Sequence, residues 1–175
     1  MTDVNAVIAI FPDHQGAEAA IKKLADGKID MKHLSIVGKG YQTDENVVGF
    51  YNMGDRVKFW GKRGAFWGAL WGWLFGAVFV TVPAVGPVIV LGYLATMVVS
   101  AIEGGVAVGG LSALTAALYS SGIPKDSVIQ YETALKADKF LVTVHGSADE
   151  VNRAREILGT STPAQVNVHG LAAAA

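Results

Sequence analysis

Histidine is the side chain in this sequence with the widest chemistry, because it binds metals and exchanges protons near neutral pH. The chain of 175 residues holds four histidines and no cysteine. His14, His33 and His145 each lie beside the end of a predicted strand. If the ends of strands one and three met the start of strand two at one sheet edge, these imidazoles would gather there and could hold a metal ion. None of them has the close spacing of a metal motif, so positions at turns or caps explain them better and we predict no metal.

No other set of side chains indicates catalysis. Asp149 and Glu150 are adjacent carboxylates, but they fall in the first turn of a predicted helix, where the helix dipole favours negative charge. Glu132, beside Tyr131, is typical of a helix surface. No nucleophile can be paired with a base, so we predict a protein that is not an enzyme, with no cofactor and no identifiable small-molecule substrate.

The composition is unusually hydrophobic. Hydrophobic residues make up 51% of the chain and charged residues only 17%, against about 25% charged in an ordinary soluble domain. The net charge of −1 argues against a nucleic-acid partner, which would require a basic face. The first residues lack a basic region followed by an apolar core, so we predict no secretory signal. Charged residues are absent from 64–102 and from 104–124, which leaves Glu103 isolated between two uncharged segments.

Both ends of the chain carry a strand–helix–strand pattern. At the N-terminal end the apolar run Ala6–Phe11 predicts a strand. Asp13 is placed to cap the following helix and Gly27 to end it, and "HLSIVGKG" predicts a second strand.

The C-terminal end repeats this plan. Strands are predicted at Lys139–Gly146 and Gln165–Gly170. Between them "SADE" predicts a capping box, in which Ser147 and Glu150 exchange hydrogen bonds with backbone donors of the first helical turn. A further helix is predicted after Pro124, with the proline at its first position.

Two such units predict an α+β fold of the split ferredoxin-like type, interrupted by a hydrophobic insert. The predicted division of the chain is residues 1–60 and 122–170 for the two halves, 61–121 for the insert and 171–175 for a tail.

The insert predicts a hydrophobic helical hairpin. A membrane-spanning helix needs about 20 apolar residues, and residues 64–82 form an uncharged segment of nearly that length. The segment "PAVGP" then predicts a turn at Pro83, Gly86 and Pro87, and a second apolar helix covers Val88–Ile102. If the two halves share one sheet, they lie on one side of the membrane, and a hairpin supplies the even number of crossings this requires.

Small residues recur at four-residue spacing in both predicted helices. Folding the hairpin about Ala84 places each glycine of the first helix opposite a small residue of the second, which would let the backbones approach closely. A further row that includes Gly105 and Gly109 predicts either a contact between subunits or packing against the rest of the domain. The predicted pairs are Gly76 with Gly92, Gly72 with Thr96, Gly68 with Ser100, and Gly64 with Gly104.

The charges flanking the insert predict its orientation. Lys62 and Arg63 precede the first predicted helix, and basic flanks lie on the cytoplasmic side of membranes. The same fold about Ala84 brings Glu103 to their depth, which predicts an ion pair at the membrane interface.

Several segments resemble a bacterial family of general-stress-protein-like chains with a glycine-rich hydrophobic core. The matching segments are "VPAVGPVIVLGYLATMVVSAIEGGVAVGGL" and "GIPKDSVIQYETALKADKFLVTVHGSADEVNRAREIL". Members are described as heat- or low-temperature-induced stress proteins, membrane proteins of unknown function or permeases. The resemblance implies a stress-related membrane protein and supplies no catalytic residues. The tryptophan-rich residues 64–76 depart from the family, which has smaller residues there.

These observations lead to one main prediction and two alternatives. The main one is a self-assembling stress protein of the bacterial inner membrane, with its soluble domain in the cytoplasm and its hairpin in contact with membrane lipid. The first alternative is a cytoplasmic homo-oligomeric shell or particle that buries its hairpins in a protein or lipid core. The second is a small transporter or channel component.

Overall fold

Six strands form the centre of the protein. A computed structural model describes residues 5–39, 77–82, 85–103 and 113–170. Within these ranges all strand pairs are antiparallel, and the order across the sheet is third, fourth, second, fifth, first, sixth. The strands are β1 (Asn5–Phe11), β2 (Leu34–Lys39), β3 (Ala77–Val82), β4 (Gly86–Gly92), β5 (Phe140–Gly146) and β6 (Gln165–His169).

Five helices and one short 3₁₀ turn (Met31–His33) accompany the sheet in the described residues, which makes the fold α+β as predicted. The helices are α1 (His14–Asp26), α2 (Tyr93–Glu103), α3 (Ala113–Ser120), α4 (Lys125–Lys136) and α5 (Ala148–Gly159).

Helices α1 and α5 cover the first face of the sheet. Local signals define both helices: Asp13 accepts a hydrogen bond from the Gly16 backbone at 2.7 Å, and Ser147 caps α5. Their inward side chains recur with the 3.6-residue period of a helix and are fully buried against β1 and β5. These inward residues are Ala17, Ala20, Ile21 and Leu24 of α1, with Val151, Ala154 and Leu158 of α5.

Helices α2, α3 and α4 cover the second face of the sheet. Leu94 and Val98 of α2 pack with Leu114 of α3 and Leu135 of α4 in a second core. The strands between the two cores are therefore apolar on both sides, and every residue of β1 is buried. This explains why the run Ala6–Phe11 shows no polar alternation.

The connections place the two strand–helix–strand units in one sheet. β1 and β2 both run antiparallel to β5, so they are parallel to each other, and α1 connects them. β5 and β6 are parallel in the same way and are connected by α5. The β3–β4 hairpin extends the sheet beyond β2, through pairs such as Ser35 with Gly92.

The helical hairpin predicted for residues 61–121 is wrong for residues 77–92, whereas the later part of its second helix is helical from Tyr93. Its central part is a β-hairpin, with Val82 opposite Gly86 and Ala77 opposite Leu91. The chain reverses between Val82 and Gly86 as predicted, but the reversal joins strands instead of helices. The segments "VFVTV" and "VIVL" are rich in β-branched residues, which favour strands, and a short apolar run has no periodicity that separates a buried strand from a helix.

The prediction of a membrane-inserted protein is also wrong. In residues 5–39, 77–82, 85–103 and 113–170, no helix is both long enough and apolar enough to cross a bilayer. The second predicted span is divided between β4 and α2, and α2 has 11 residues, where a span needs about 20.

Gly38 provides a test of the packing between β2 and β5. A Cβ at this position would lie 2.5 Å from the Phe140 ring on the neighbouring strand. We expect Gly38→Ala to lower the free energy of unfolding by about 1–3 kcal/mol, because overpacking displaces an aromatic ring. Urea denaturation measures this change.

Gly159 at the end of α5 is the matched control, because a Cβ there would meet no atom within 4 Å. Gly159→Ala should leave stability unchanged or raise it by up to about 1 kcal/mol. Equal effects of the two substitutions would contradict the close approach of Gly38 to Phe140.

Candidate functional site

Polar side chains form a layer on the second face of the sheet, beneath α2 and α4. Alternation along each strand points them to the same side as the apolar residues of the second core. Most of them are less than a tenth exposed, so their hydrogen bonds must come from within the protein. The members of this polar layer are Ser35 of β2, Thr143 and His145 of β5, and Gln165, Asn167 and His169 of β6.

A tyrosine–histidine pair connects α4 to the edge strand β6. The Tyr131 hydroxyl lies 2.5 Å from Nε2 of His169, and the two rings meet edge to face. Asn167 donates to the same hydroxyl oxygen at 3.3 Å. With Tyr131 donating to an unprotonated Nε2, all three groups are satisfied.

Burial keeps the members of this pair neutral. Burial raises the pKa of Tyr131 to about 12, although the hydrogen bond from Asn167 acts in the opposite direction. Burial also lowers the pKa of His169 below its usual value of 6.5. A tyrosine with a raised pKa is a poor base at neutral pH, so the pair is suited to holding α4 on the sheet and not to proton transfer.

Three side-chain amides extend this contact to the surface. Gln130 donates to Gln165 at 2.9 Å, Gln165 donates to Asn167 at 3.2 Å, and Asn167 donates back to Gln130 at 3.3 Å. This closed ring of amides joins α4 to β6, which is an edge strand of the described sheet.

His145 differs from its neighbours because it has no hydrogen-bond partner. Its side chain is 3% exposed, and neither ring nitrogen has a partner among the described residues. The Thr143 hydroxyl, two residues earlier on the same face, is also buried without one. The Tyr93 ring covers the imidazole, with 4.9 Å between ring centroids. Burial, together with the nearby charge of His33, lowers the pKa of His145 to about 4, so the ring is neutral at pH 7.

The three histidines considered as metal ligands do not gather at one edge. β1 and β5 are antiparallel, so the end of β5 lies beside the start of β1, with Asn5 opposite Gly146. His145 is therefore near His33, whereas His14 follows the opposite end of β1, and its ring lies 6.3 Å from that of Phe140. The expectation that the first and third strands end at the same edge is wrong. The described residues include no group of three histidine or acidic side chains that could hold a metal ion.

Glu150 makes different contacts from those of a capping box. Ser147 accepts a hydrogen bond from the Glu150 backbone at 3.2 Å, as predicted. The Glu150 carboxylate instead accepts from the Asp30 backbone at 3.2 Å and lies 3.0 Å from Nδ1 of His33. The Glu150 carboxylate thus links the start of α5 to the 3₁₀ turn, which lies in the connection from α1 to β2.

A groove of about 530 Å³ separates the outer surfaces of α2 and α3. Thr96 and Ser100, predicted as helix-packing residues, lie here on an exposed side of α2. Their hydroxyls donate to carbonyls one turn earlier, at 2.6 and 3.0 Å. These two donors therefore need no hydrogen-bond acceptor from a molecule bound in the groove. The groove is lined by Tyr93, Thr96, Met97, Ser100, Ala101, Ala116, Tyr119 and Ser120.

The remaining predicted packing residues are only partly described. Gly92 ends β4 with φ +87° and leads directly into α2, and Gly86 begins β4 with φ +102°, next to Pro87. Glu103 is exposed at the end of α2. Outside the described residues lie Gly64, Gly68, Gly72, Gly76, Gly104, Gly105, Gly109, Lys62, Arg63 and Pro83, so the predicted glycine contacts and ion pair stay predictions.

The Tyr131–His169 pair was not predicted from the sequence, although two signals could have found it. In "QVNVHG" the polar residues alternate with valines, which places Gln165, Asn167 and His169 on one face of a strand. Tyr131 follows Val128 by three residues in the buried stripe of α4, where a phenol requires a hydrogen-bond partner.

Comparisons with protein-family models, with curated proteins and with solved structures find no match to this chain. The resemblance to a general-stress-protein-like family therefore stays a prediction.

Removing the Tyr131 hydroxyl tests the contact between α4 and β6. Tyr131→Phe would leave Nε2 of His169 buried without a partner. We expect the free energy of unfolding to fall by about 1–3 kcal/mol, the cost of an unsatisfied buried polar group. The measurement is urea denaturation at pH 7.

Tyr119→Phe is the control, since Tyr119 is a partly exposed tyrosine at the groove. It should change stability by less than about 0.5 kcal/mol. If the two substitutions had the same effect, the hydrogen bond to His169 would contribute nothing to stability.

Proposed function

We propose that this protein is a non-enzymatic structural protein that forms homo-oligomers through the outer faces of α2 and α3. The observation that carries this proposal is the exposure of two large apolar side chains, Val99 (38%) and Ile102 (50%), on α2, the helix that also lines the groove with α3. This is the assembly alternative from the sequence, with the contact assigned to α2 and α3.

The shape of this surface supports contact with a second copy. Helix α2 carries the projecting side chains of Val99 and Ile102, and it also lines a groove that includes small residues such as Ala101 and Ala116. A twofold contact uses the same patch on both subunits, so a patch that carries both projecting side chains and a groove can complement itself. Thr96 and Ser100, one turn apart, would let two helices approach closely.

The charge distribution on α2 and α3 also supports a second copy of this chain as the binding partner. Glu103, at the last position of α2, is the one charged residue in the described α2 and α3. Two copies of this surface would therefore meet with little repulsion between like charges, and burying it would desolvate few ionic groups. By contrast, the exposed Ile129 of α4 lies among charged residues, with Asp126 and Glu132 on the same helix.

We further propose that the scaffold is a split ferredoxin-like domain. Two features support this proposal. The sheet contains the strand order β2-β5-β1-β6, and α1 and α5 lie together on its first face. On this proposal the added elements β3, β4, α2 and α3 extend the domain with an assembly surface.

A charge placed on the proposed interface tests the assembly. We expect Ile102→Glu and Val99→Glu each to reduce the oligomer to a monomer, because association would bury an unpaired carboxylate. Sedimentation velocity across a hundredfold range of protein concentration measures the mass, and circular dichroism checks the fold.

Ile129→Glu is the matched control, because Ile129 is 52% exposed but lies on α4. It should keep the mass of the unsubstituted protein. A chain that is monomeric throughout the concentration range, or an Ile102→Glu variant with unchanged mass, would rule out this interface.

A further inference from the structure

His145 is buried in a position that accepts a neutral imidazole but not a charged one. The side chain is 3% exposed and both ring nitrogens lack partners among the described residues. A neutral ring leaves one donor and one acceptor without hydrogen bonds. Each unsatisfied nitrogen lowers the stability of the protein by a moderate amount. An imidazolium in the same place would be a buried cation without a counter-ion, a far larger cost.

The groups that face His145 come from several elements, and in the described part of the chain none is a free carboxylate. Tyr93, the first residue of α2, covers the ring, and His33 lies nearby in the 3₁₀ turn. The carboxylate of Glu150 of α5 enters this network through His33, which it already engages. On the other side, Ala6 separates His145 from His169, whose Nε2 is occupied by Tyr131 of α4.

Protonation of His145 would mainly destabilise the start of α2. A helix N-terminus carries partial positive charge, so a cation beside Tyr93 would be repelled by the helix dipole. A protonated His33 would add a second repulsion. Two specific contacts join this turn to the polar layer, beside the apolar packing of Leu94 and Ala95: the Leu94 backbone donates to the Ser35 hydroxyl at 2.9 Å, and Tyr93 packs on His145.

The residue that links β4 to α2 would allow the first turn of α2 to rotate. Gly92 joins the strand directly to the helix with φ +87°, a conformation that favours glycine. Rotation at this residue would carry Tyr93 away from the sheet without disturbing the pairing of the other strands.

We propose that protonation of His145 releases the N-terminal turn of α2 from the sheet, so that α2 opens in acid while the remainder of the sheet stays folded. The contact concerned lies within one chain, so this inference does not depend on the proposed self-association.

The sign and size of the effect follow from linkage. A pKa lowered from 6.5 to about 4 means that the closed state binds the proton more weakly than an open state with an ordinary histidine. The neutral imidazole therefore contributes its full stabilisation of the closed state above pH 6.5, and this contribution is lost progressively as the pH falls toward 4. Between pH 8 and pH 4.5 the opening equilibrium should increase roughly 75-fold, given those two pKa values.

Hydrogen exchange of backbone amides, followed by NMR and expressed as protection factors, measures this opening. In the unsubstituted protein the protection factors of Leu94, Ala95 and Val98 should fall roughly 75-fold from pH 8 to pH 4.5. Those of Val7 and Ala9 in β1 should stay higher than those of α2 at both pH values, because β1 exchanges only when the whole sheet unfolds. Equal protection factors in α2 and β1 at pH 4.5 would mean that both exchange through global unfolding and would overturn the proposal.

His145→Phe keeps a ring beneath Tyr93 but cannot be protonated, so α2 should keep its protection at pH 4.5. His14→Gln removes an imidazole from the opposite end of β1 and should open in acid like the unsubstituted protein. If α2 still opened in His145→Phe, another group such as His33 or His169 would be responsible and the proposal would fail.

A second measurement needs no variant. The imidazole of His145 should titrate, by NMR, together with the chemical-shift changes of α2 amides and with a midpoint well below 6.5. Titration near 6.5 with no accompanying change in α2 would overturn the proposal. Sedimentation of the same samples at both pH values separates this outcome from any change in oligomer mass.

Discussion

The burial of both faces of the sheet is the constraint on which the rest of the structure depends. Every residue of β1 is buried, because one side of this strand belongs to the first core with α1 and α5 and the other side belongs to the second core. A chain with so many consecutive apolar strand residues must supply helices for both faces. The high hydrophobic content that suggested a membrane is explained in the described residues by two cores instead of one.

The same constraint explains why a few polar side chains matter so much. A polar group on a buried face must find its partner within the protein or remain unsatisfied. Ser35 and His169 find partners on α2 and α4, and these bonds position the helices over the sheet. His145 and Thr143 do not find partners in the described residues, so the region beneath Tyr93 carries an unsatisfied polar cost within the second core.

The sequence predicted the features that depend on near neighbours and missed those that depend on distant ones. The caps at Asp13 and Ser147 and the inward faces of α1 and α5 depend on residues within one or two turns. The β3–β4 hairpin was mistaken for helices because uniform apolar character lacks periodicity, and tertiary pairing with β2 decides the outcome. The histidine positions were misplaced because they depend on strand direction, and the bond from Tyr131 to His169 crosses 38 residues.

Helix α2 connects the buried polar layer with the proposed assembly surface. Leu94, Ala95 and Val98 face the sheet, while Thr96, Val99 and Ser100 face outward on the same helix. Tyr93 contacts both the polar layer and the outer surface of α2, because it covers His145 and also lines the groove. If Tyr93 leaves His145 on the proposed opening, the same movement changes the lining of the groove, because one side chain forms part of both.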